Sequence, residues 1–219
     1  MNMDFNLFTP TKLLFGRGKL NELGNQKLPG RKALLLISSG QSVKTSGTLD
    51  RVTAQLDKAG AAYVICNNIH ENPSKEVVME AAACAKGNGC DFILALGGGA
   101  VLDSAVAVAA MATNPGDLWD YVCGGTGKAQ PLLHPGLPIV TIATTSGTGS
   151  EINCWGVISN HETNEKIGFG DPSLNPVLAI VDPELMRTVP AEYTAYQGFD
   201  ALFHNTEVMI SRFVNVLSR

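Results

Sequence analysis

Short apolar runs alternate with segments of helical period along most of the chain. Residues 33–37, 62–66 and 92–96 are nearly unbroken apolar stretches of strand length. Between and after them lie segments with one apolar face. Residues 48–59 carry Leu49, Val52 and Leu56 at helical spacing, 75–86 predicts a second helix, and 100–111 a third. Strands that read as continuous apolar runs, separated by helices, predict a parallel sheet covered on both faces.

Residues 113–137 interrupt this rhythm with Pro115, Gly116, Gly124, Gly125, Gly127, Pro131, Pro135 and Gly136. Excursions of that length are usually functional. A strand resumes over 137–143, and 153–169 predicts a β-hairpin with a polar tip at 160–164. A last buried strand is expected over 177–181, ended by Asp182-Pro183. From 191 to 219 the pattern is purely helical, which puts a boundary near 185–190. The expected division is an α/β domain over 1–188 and a helical segment over 189–219.

With 219 residues, 45% of them apolar, the chain can build one sizeable core or two small ones. The formal net charge of −4 leaves no basic footprint for nucleic acid. Charged residues are only 16%, against roughly 25% in a typical soluble protein, so a covered surface is expected. No apolar stretch is long enough to cross a membrane, and the N-terminus lacks the pattern of a signal peptide. The five cysteines are an odd number without C-x-x-C spacing, which disfavours a disulfide scaffold or a zinc ribbon. A reduced, cytoplasmic setting is the expectation.

Three segments carry candidate chemistry. Gly97-Gly98-Gly99 follows a predicted strand and opens a helix that begins Ala100-Val101-Leu102-Asp103. Glycines there let a phosphate approach the backbone, and the helix N-terminus offers N–H donors. The spacing matches neither G-x-G-x-x-G nor a Walker A loop, and a plain tight turn is the alternative. Thr144-Thr145-Ser146-Gly147-Thr148-Gly149-Ser150 also follows a strand and can wrap a pyrophosphate or ribose, or be a solvated turn. No G-x-S-x-G elbow is present, so serine hydrolase chemistry is disfavoured. Asp200 and His204 stand four apart on a predicted helix, hence on one face. They suit a shared divalent metal or a surface hydrogen bond. His70, His134 and His161 fall in predicted loops and carry no expected chemistry.

Taken in order, these segments resemble the iron-containing (group III) alcohol dehydrogenases. Pro10-Thr11-Lys12, Phe15-Gly16-Arg17-Gly18, Glu71-Asn72-Pro73, the Gly97 to Asp103 loop, Thr144 to Glu151, Asn175 to Pro183 and Asp200 to Glu207 carry the resemblance. It implies a Rossmann-like, parallel-sheet nucleotide-binding α/β domain, followed here by the truncated start of an all-helical metal-binding domain. By resemblance, Gly98, Gly99 and Asp103 would lie at the cofactor pyrophosphate, and Thr144, Thr145 and Thr148 on the adenosine and phosphate side. Asn72, Val157 and Lys166 match cofactor-contacting positions further along the cleft. Asp200 and His204 match the first two of four metal ligands; the other two are histidines further along the helical domain, and none follows here. Val106 stands where the family often has a lysine.

The resemblance implies hydride transfer between a small primary alcohol or aldehyde and NAD or NADP, with iron, or alternatively zinc, as the metal. It also implies a homo-oligomer with no nucleic-acid or membrane partner. With two of four ligands, the 219-residue chain alone is expected to be inactive. The alternatives are a non-catalytic nucleotide-binding fragment and a related polyol dehydrogenase. Residues 33–37 run into Ser38-Ser39-Gly40-Gln41-Ser42, and no Asp or Glu occurs between Glu22 and Asp50. An acidic side chain near the ribose 2′-hydroxyl commonly selects NAD. Ser39 is therefore a candidate ribose contact, and NADP(H) is expected to bind at least as well as NAD(H).

Overall fold

The computed structural model describes Asp4 and residues 6–212 and 214–216. In chain order it contains β1 (Lys12–Phe15), a 3-10 segment over Lys19–Asn25, β2 (Lys32–Ser38), α1 (Ser42–Thr45), α2 (Thr48–Lys58) and β3 (Ala62–Ile69). There follow α3 (Lys75–Gly87), β4 (Phe92–Gly97), α4 (Gly99–Met111), α5 (Leu118–Tyr121) and β5 (Ile139–Ala143). The chain continues through β6 (Trp155–Asn160), β7 (Glu165–Gly170), β8 (Leu178–Val181), a 3-10 turn at Pro183–Met186 and α6 (Ala191–Ile210).

Six strands form one sheet in the order β1-β8-β5-β4-β2-β3, and every neighbouring pair is parallel. This is the α/β architecture expected from the sequence. Alternate residues of the central strands feed two separate cores. Leu34, Leu36, Ile93 and Ala95 face α3 and α4. Ala33, Leu35, Ile37, Phe92, Leu94 and Leu96 face α2 and the 3-10 segment through Leu20 and Leu23. With both faces covered, neither set has a polar counterpart, which is why the strands read as continuous apolar runs.

Helix α4 lies between the sheet and the β6–β7 hairpin. Ten of its residues, Val101, Leu102 and Ser104 to Met111, are buried. The hairpin crosses it so closely that a Cβ at Gly156 would stand 2.3 Å from the Asp103 carbonyl oxygen. Ser159 N–H donates to the Pro73 carbonyl (2.9 Å), fixing the same hairpin beside the entry to α3.

The 113–137 excursion is fastened at both ends. Asn114 donates to the His134 carbonyl, and its side-chain oxygen accepts from the Leu133 and His134 N–H groups. Glu165 at the start of β7 accepts from Trp119 Nε1 (2.9 Å), Thr126 N–H (2.8 Å) and the hydroxyls of Thr126 and Thr163. These donors hold its carboxyl down at about 2, far below the ordinary 4.5.

Three elements carried no signal in the sequence pattern. β1 and α1 span only four residues each. α5 is a single turn inside the excursion, nucleated by the reciprocal capping of Asp117 and Asp120. One expectation is corrected. The terminal helix does not run to 219 but stops at Ile210, where Ser211 turns extended (ψ 145°) and gives its N–H to the Val208 carbonyl. A serine competes for its neighbours' backbone groups and favours such an exit. Arg212 and residues 214–216 are not helical, and Phe213 and residues 217–219, within the expected helix, lie outside the described residues.

Two outcomes follow for stability. Gly156→Val must lift the hairpin off the backbone of α4 and is expected to lose about 1–3 kcal/mol, read by denaturant unfolding. Glu165→Gln is expected to lower the melting temperature at neutral pH. Because the folded carboxyl titrates below its ordinary value, its contribution is complete above about 4.5 and is lost as pH falls towards about 2. Melting curves of the two proteins should therefore converge on acidification across that window.

Candidate functional site

All six strands of a parallel sheet end on one edge. From β2 the chain moves outward to β3, then crosses back over β2 to reach β4. The strand order thus reverses between β2 and β4, and ligands of open α/β sheets bind in the crevice beyond the strand ends at such a point.

The β4 exit is built by close approach. Gly98 occupies the cap position of α4 in extended conformation, without a side-chain cap and with no acid in the first turn. A Cβ on Gly98 would stand 2.8 Å from Thr145 Oγ1, and one on Gly99 2.8 Å from Thr148 Cγ2. Side chains at these glycines would fill the gap between the two loops. The Thr144 N–H donates to the Gly97 carbonyl (3.0 Å), so the loop after β5 continues the ladder alongside the glycines. The uncapped first-turn N–H groups of α4 suit an anion.

A second group lies one turn along α4. Asp103 Oδ2 accepts the Val157 N–H at 2.9 Å. Burial pushes the Asp103 carboxyl above its ordinary value, opposed by that N–H, by Ser150 and by the charge of Lys166. Lys166 in turn donates to Asn72 Oδ1 at 2.7 Å. Asn72 sits at φ 51°, a left-handed turn that asparagine tolerates better than most residues. The fold therefore brings Asp103, Val157, Lys166 and Asn72 together from four separate segments.

Two cavities open on this edge. One of about 360 Å³ lies between α1, the loop after β5 and the start of α6, with Val43, Thr48, Thr144, Thr145, Pro190 and Tyr193 among its lining. The other, about 540 Å³, lies at the exits of β2 and β3 and includes Ser39, Gln41, His70 and Glu71. Ser42 and Glu71 line both. The Ser39 hydroxyl is 2.9 Å from His70 Nδ1. His70 thus joins the site although the sequence placed it in an unremarkable loop. Glu71 was missed as a separate group because its carboxylate arrives from β3, outside the β2 exit.

Helix α6 is fastened to the loop after β5. Gln197 Oε1 accepts from both the N–H and the hydroxyl of Ser146, at 2.8 and 2.9 Å. Gly147, at φ +102°, has room only for hydrogen: a Cβ would stand 2.8 Å from the Gln197 carbonyl and 2.9 Å from Asp200 Oδ2. Gln197 carried no signal in the sequence, since a lone glutamine has no diagnostic spacing. Asp200 Oδ1 lies 3.4 Å from His204 Nε2, and Glu207 Oε2 lies 3.8 Å from His204 Nδ1. Among the described residues no three His, Cys, Asp or Glu side chains converge as a metal cage. Asp200 and His204 fit part of a divalent coordination sphere, not a complete one.

Residues 10–183 match the iron-containing alcohol dehydrogenase family. The chain is 42% identical over 201 residues to the probable NADH-dependent butanol dehydrogenase 1 of Bacillus subtilis (strain 168), covering 92% of this chain and 51% of that protein. It is 34% identical over 209 residues to the NADPH-dependent aldehyde reductase YqhD of Escherichia coli (strain K12), covering 95% and 53%. The crystal structure of NADH-dependent butanol dehydrogenase A from Thermotoga maritima superposes with a TM-score of 0.87 at 37% identity, over 94% of this chain and 50% of that one. The chain spans about half the length of the curated relatives it matches.

The donor count on α6 gives a direct outcome. Purified with iron or zinc and then dialysed, the 219-residue chain is expected to hold well under one equivalent of metal by elemental analysis. His204→Ala should abolish what remains. A full equivalent in the unaltered chain would mean that further donors reach Asp200 and His204.

Proposed function

The chain belongs to the iron-containing alcohol dehydrogenase family, and on that premise we propose that its switch-point edge binds NAD(H) or NADP(H) for hydride transfer between a small primary alcohol and its aldehyde. The observation that carries the reading is the uncapped N-terminus of α4, opened by Gly98 and Gly99 within contact of Thr145 and Thr148.

In this reading the pyrophosphate takes the first-turn N–H groups of α4, which no acidic side chain competes for. Thr144, Thr145 and Thr148 line the adenosine and phosphate side, and Ser39 lies near the adenosine ribose. Asp103 keeps β6 in place through the Val157 N–H, while Lys166 and Asn72 offer polar groups towards the nicotinamide end. Asp200 and His204 face the same edge because Gln197 locks α6 against Ser146. When bound, the nicotinamide supplies the hydride acceptor or donor and the divalent metal polarises the substrate oxygen. We place the domain boundary at 188/189, between the last 3-10 turn and α6. The proposal extends to a cytoplasmic protein acting as a homo-oligomer. No helix among the described residues is long and apolar enough to cross a membrane.

A second reading, nucleotide binding by this chain without turnover, is favoured by the two-donor metal site. Coupled assays separate the two: alcohol-dependent reduction of the dinucleotide supports the first, and binding without it the second.

Gly98→Val tests the binding site common to both. Its side chain meets Thr145 and fills the phosphate gap, so calorimetric binding of NAD and NADP is expected to fall by at least about 100-fold, roughly 3 kcal/mol. Unchanged affinity would remove the glycine turn from the site.

A further inference from the structure

We propose that Glu71, at the exit of β3, sets the choice between the two dinucleotides. Its carboxylate accepts a hydrogen bond from an adenosine ribose with a free 2′-hydroxyl and repels one with a 2′-phosphate. The proposal rests on the reading of this edge as a dinucleotide site.

Four observations carry it. Glu71 lines both cavities, as Ser42 does. Among the described residues it is the single acidic side chain in either lining, and no described Lys or Arg lines either cavity. Its side chain is exposed and makes no hydrogen bond or ion pair with a described residue, which leaves the carboxylate available to a ligand. The neighbouring Ser39 hydroxyl is already engaged with His70 Nδ1.

A 2′-phosphate carries about 1.5 to 2 negative charges near neutral pH and needs cationic or several N–H partners. Here it would meet a carboxylate beside hydroxyls. A 2′-hydroxyl would instead find an unengaged acceptor. The absence of acids between Glu22 and Asp50 therefore does not free the ribose pocket of negative charge. The fold supplies that charge from the adjacent strand, and the expectation of NADP(H) parity is revised towards NAD(H). This acid differs in origin from the familiar ribose-binding acid, which follows the strand next to the glycine turn. That strand here is β2, and its exit carries Ser38 and Ser39.

The test is a set of calorimetric titrations of the full 219-residue chain with NAD and NADP, and with 5′-AMP and 2′,5′-ADP as adenosine-half probes. The unaltered chain is expected to prefer NAD by about tenfold, and 5′-AMP over 2′,5′-ADP in the same direction. Glu71→Gln should weaken NAD and strengthen NADP, moving their ratio by about tenfold. Glu71→Lys should carry it past parity. Raising salt from about 20 to 300 mM should bring the two affinities of the unaltered chain closer, because repulsion of the phosphate is screened. This last measurement needs no variant. If both dinucleotides bind and the ratio ignores salt and both substitutions, the role of Glu71 is overturned. If neither dinucleotide binds the unaltered chain, the dinucleotide reading falls, and this proposal with it.

Discussion

Helix α4 is enclosed on both sides, by the sheet beneath it and by the β6–β7 hairpin above, and this enclosure fixes most of the site. An amphipathic surface helix can shift along its axis by small rearrangements of its apolar stripe. α4 has almost no exposed stripe, and Gly156 meets its backbone in direct contact. Its N-terminus is therefore pinned between β4 and the loop after β5. The same packing brings Val157 N–H to Asp103 and sets Lys166 beside Asn72. The glycine turn, the buried carboxylate and the lysine thus depend on one packing arrangement. Charge takes part mainly at the periphery of that arrangement, where Glu165 fastens the excursion and Lys75 pairs with Glu162 at the hairpin tip.

Much of this was legible in the sequence because burial on both faces writes itself as apolar runs. β2, β4 and α4 are deeply buried, and the pattern located each of them within a residue or two. The hairpin was legible for a different reason: its polar tip at 160–164 is a local signal. What escaped depends on long-range company. β1 is short and mostly exposed, its apolar run of Leu13-Leu14-Phe15 is too brief to mark a strand, and it exists as one because β8 offers it a ladder. The end of α6 escaped because the sequence keeps its helical spacing of apolar residues beyond Ile210, where the backbone turns.

The candidate site divides the same way. Gly98, Gly99 and the threonines of 144–148 were readable as two loops, each after a strand. That they touch each other follows only from the parallel pairing of β4 with β5. Asn72 and Lys166 lie on segments far apart in the chain, and resemblance rather than spacing suggested that they belong together. Glu71 and Gln197 are isolated polar residues whose significance lies in what the fold sets beside them, two cavities and the Ser146 amide.

The pairing of β1 with β8 has a consequence for the timing of biosynthesis. Lys12 lies opposite Leu178, and Asp182 just after β8 accepts the N–H groups of Gly18 and Leu20 just after β1. These partners are about 166 residues apart, so at roughly 5–20 residues per second the first strand leaves the ribosome on the order of ten to thirty seconds before its ladder exists. The β2–β4 region can assemble during that interval. β1 is thus among the last strands to be secured, and until then its edge is open to whatever the nascent chain encounters.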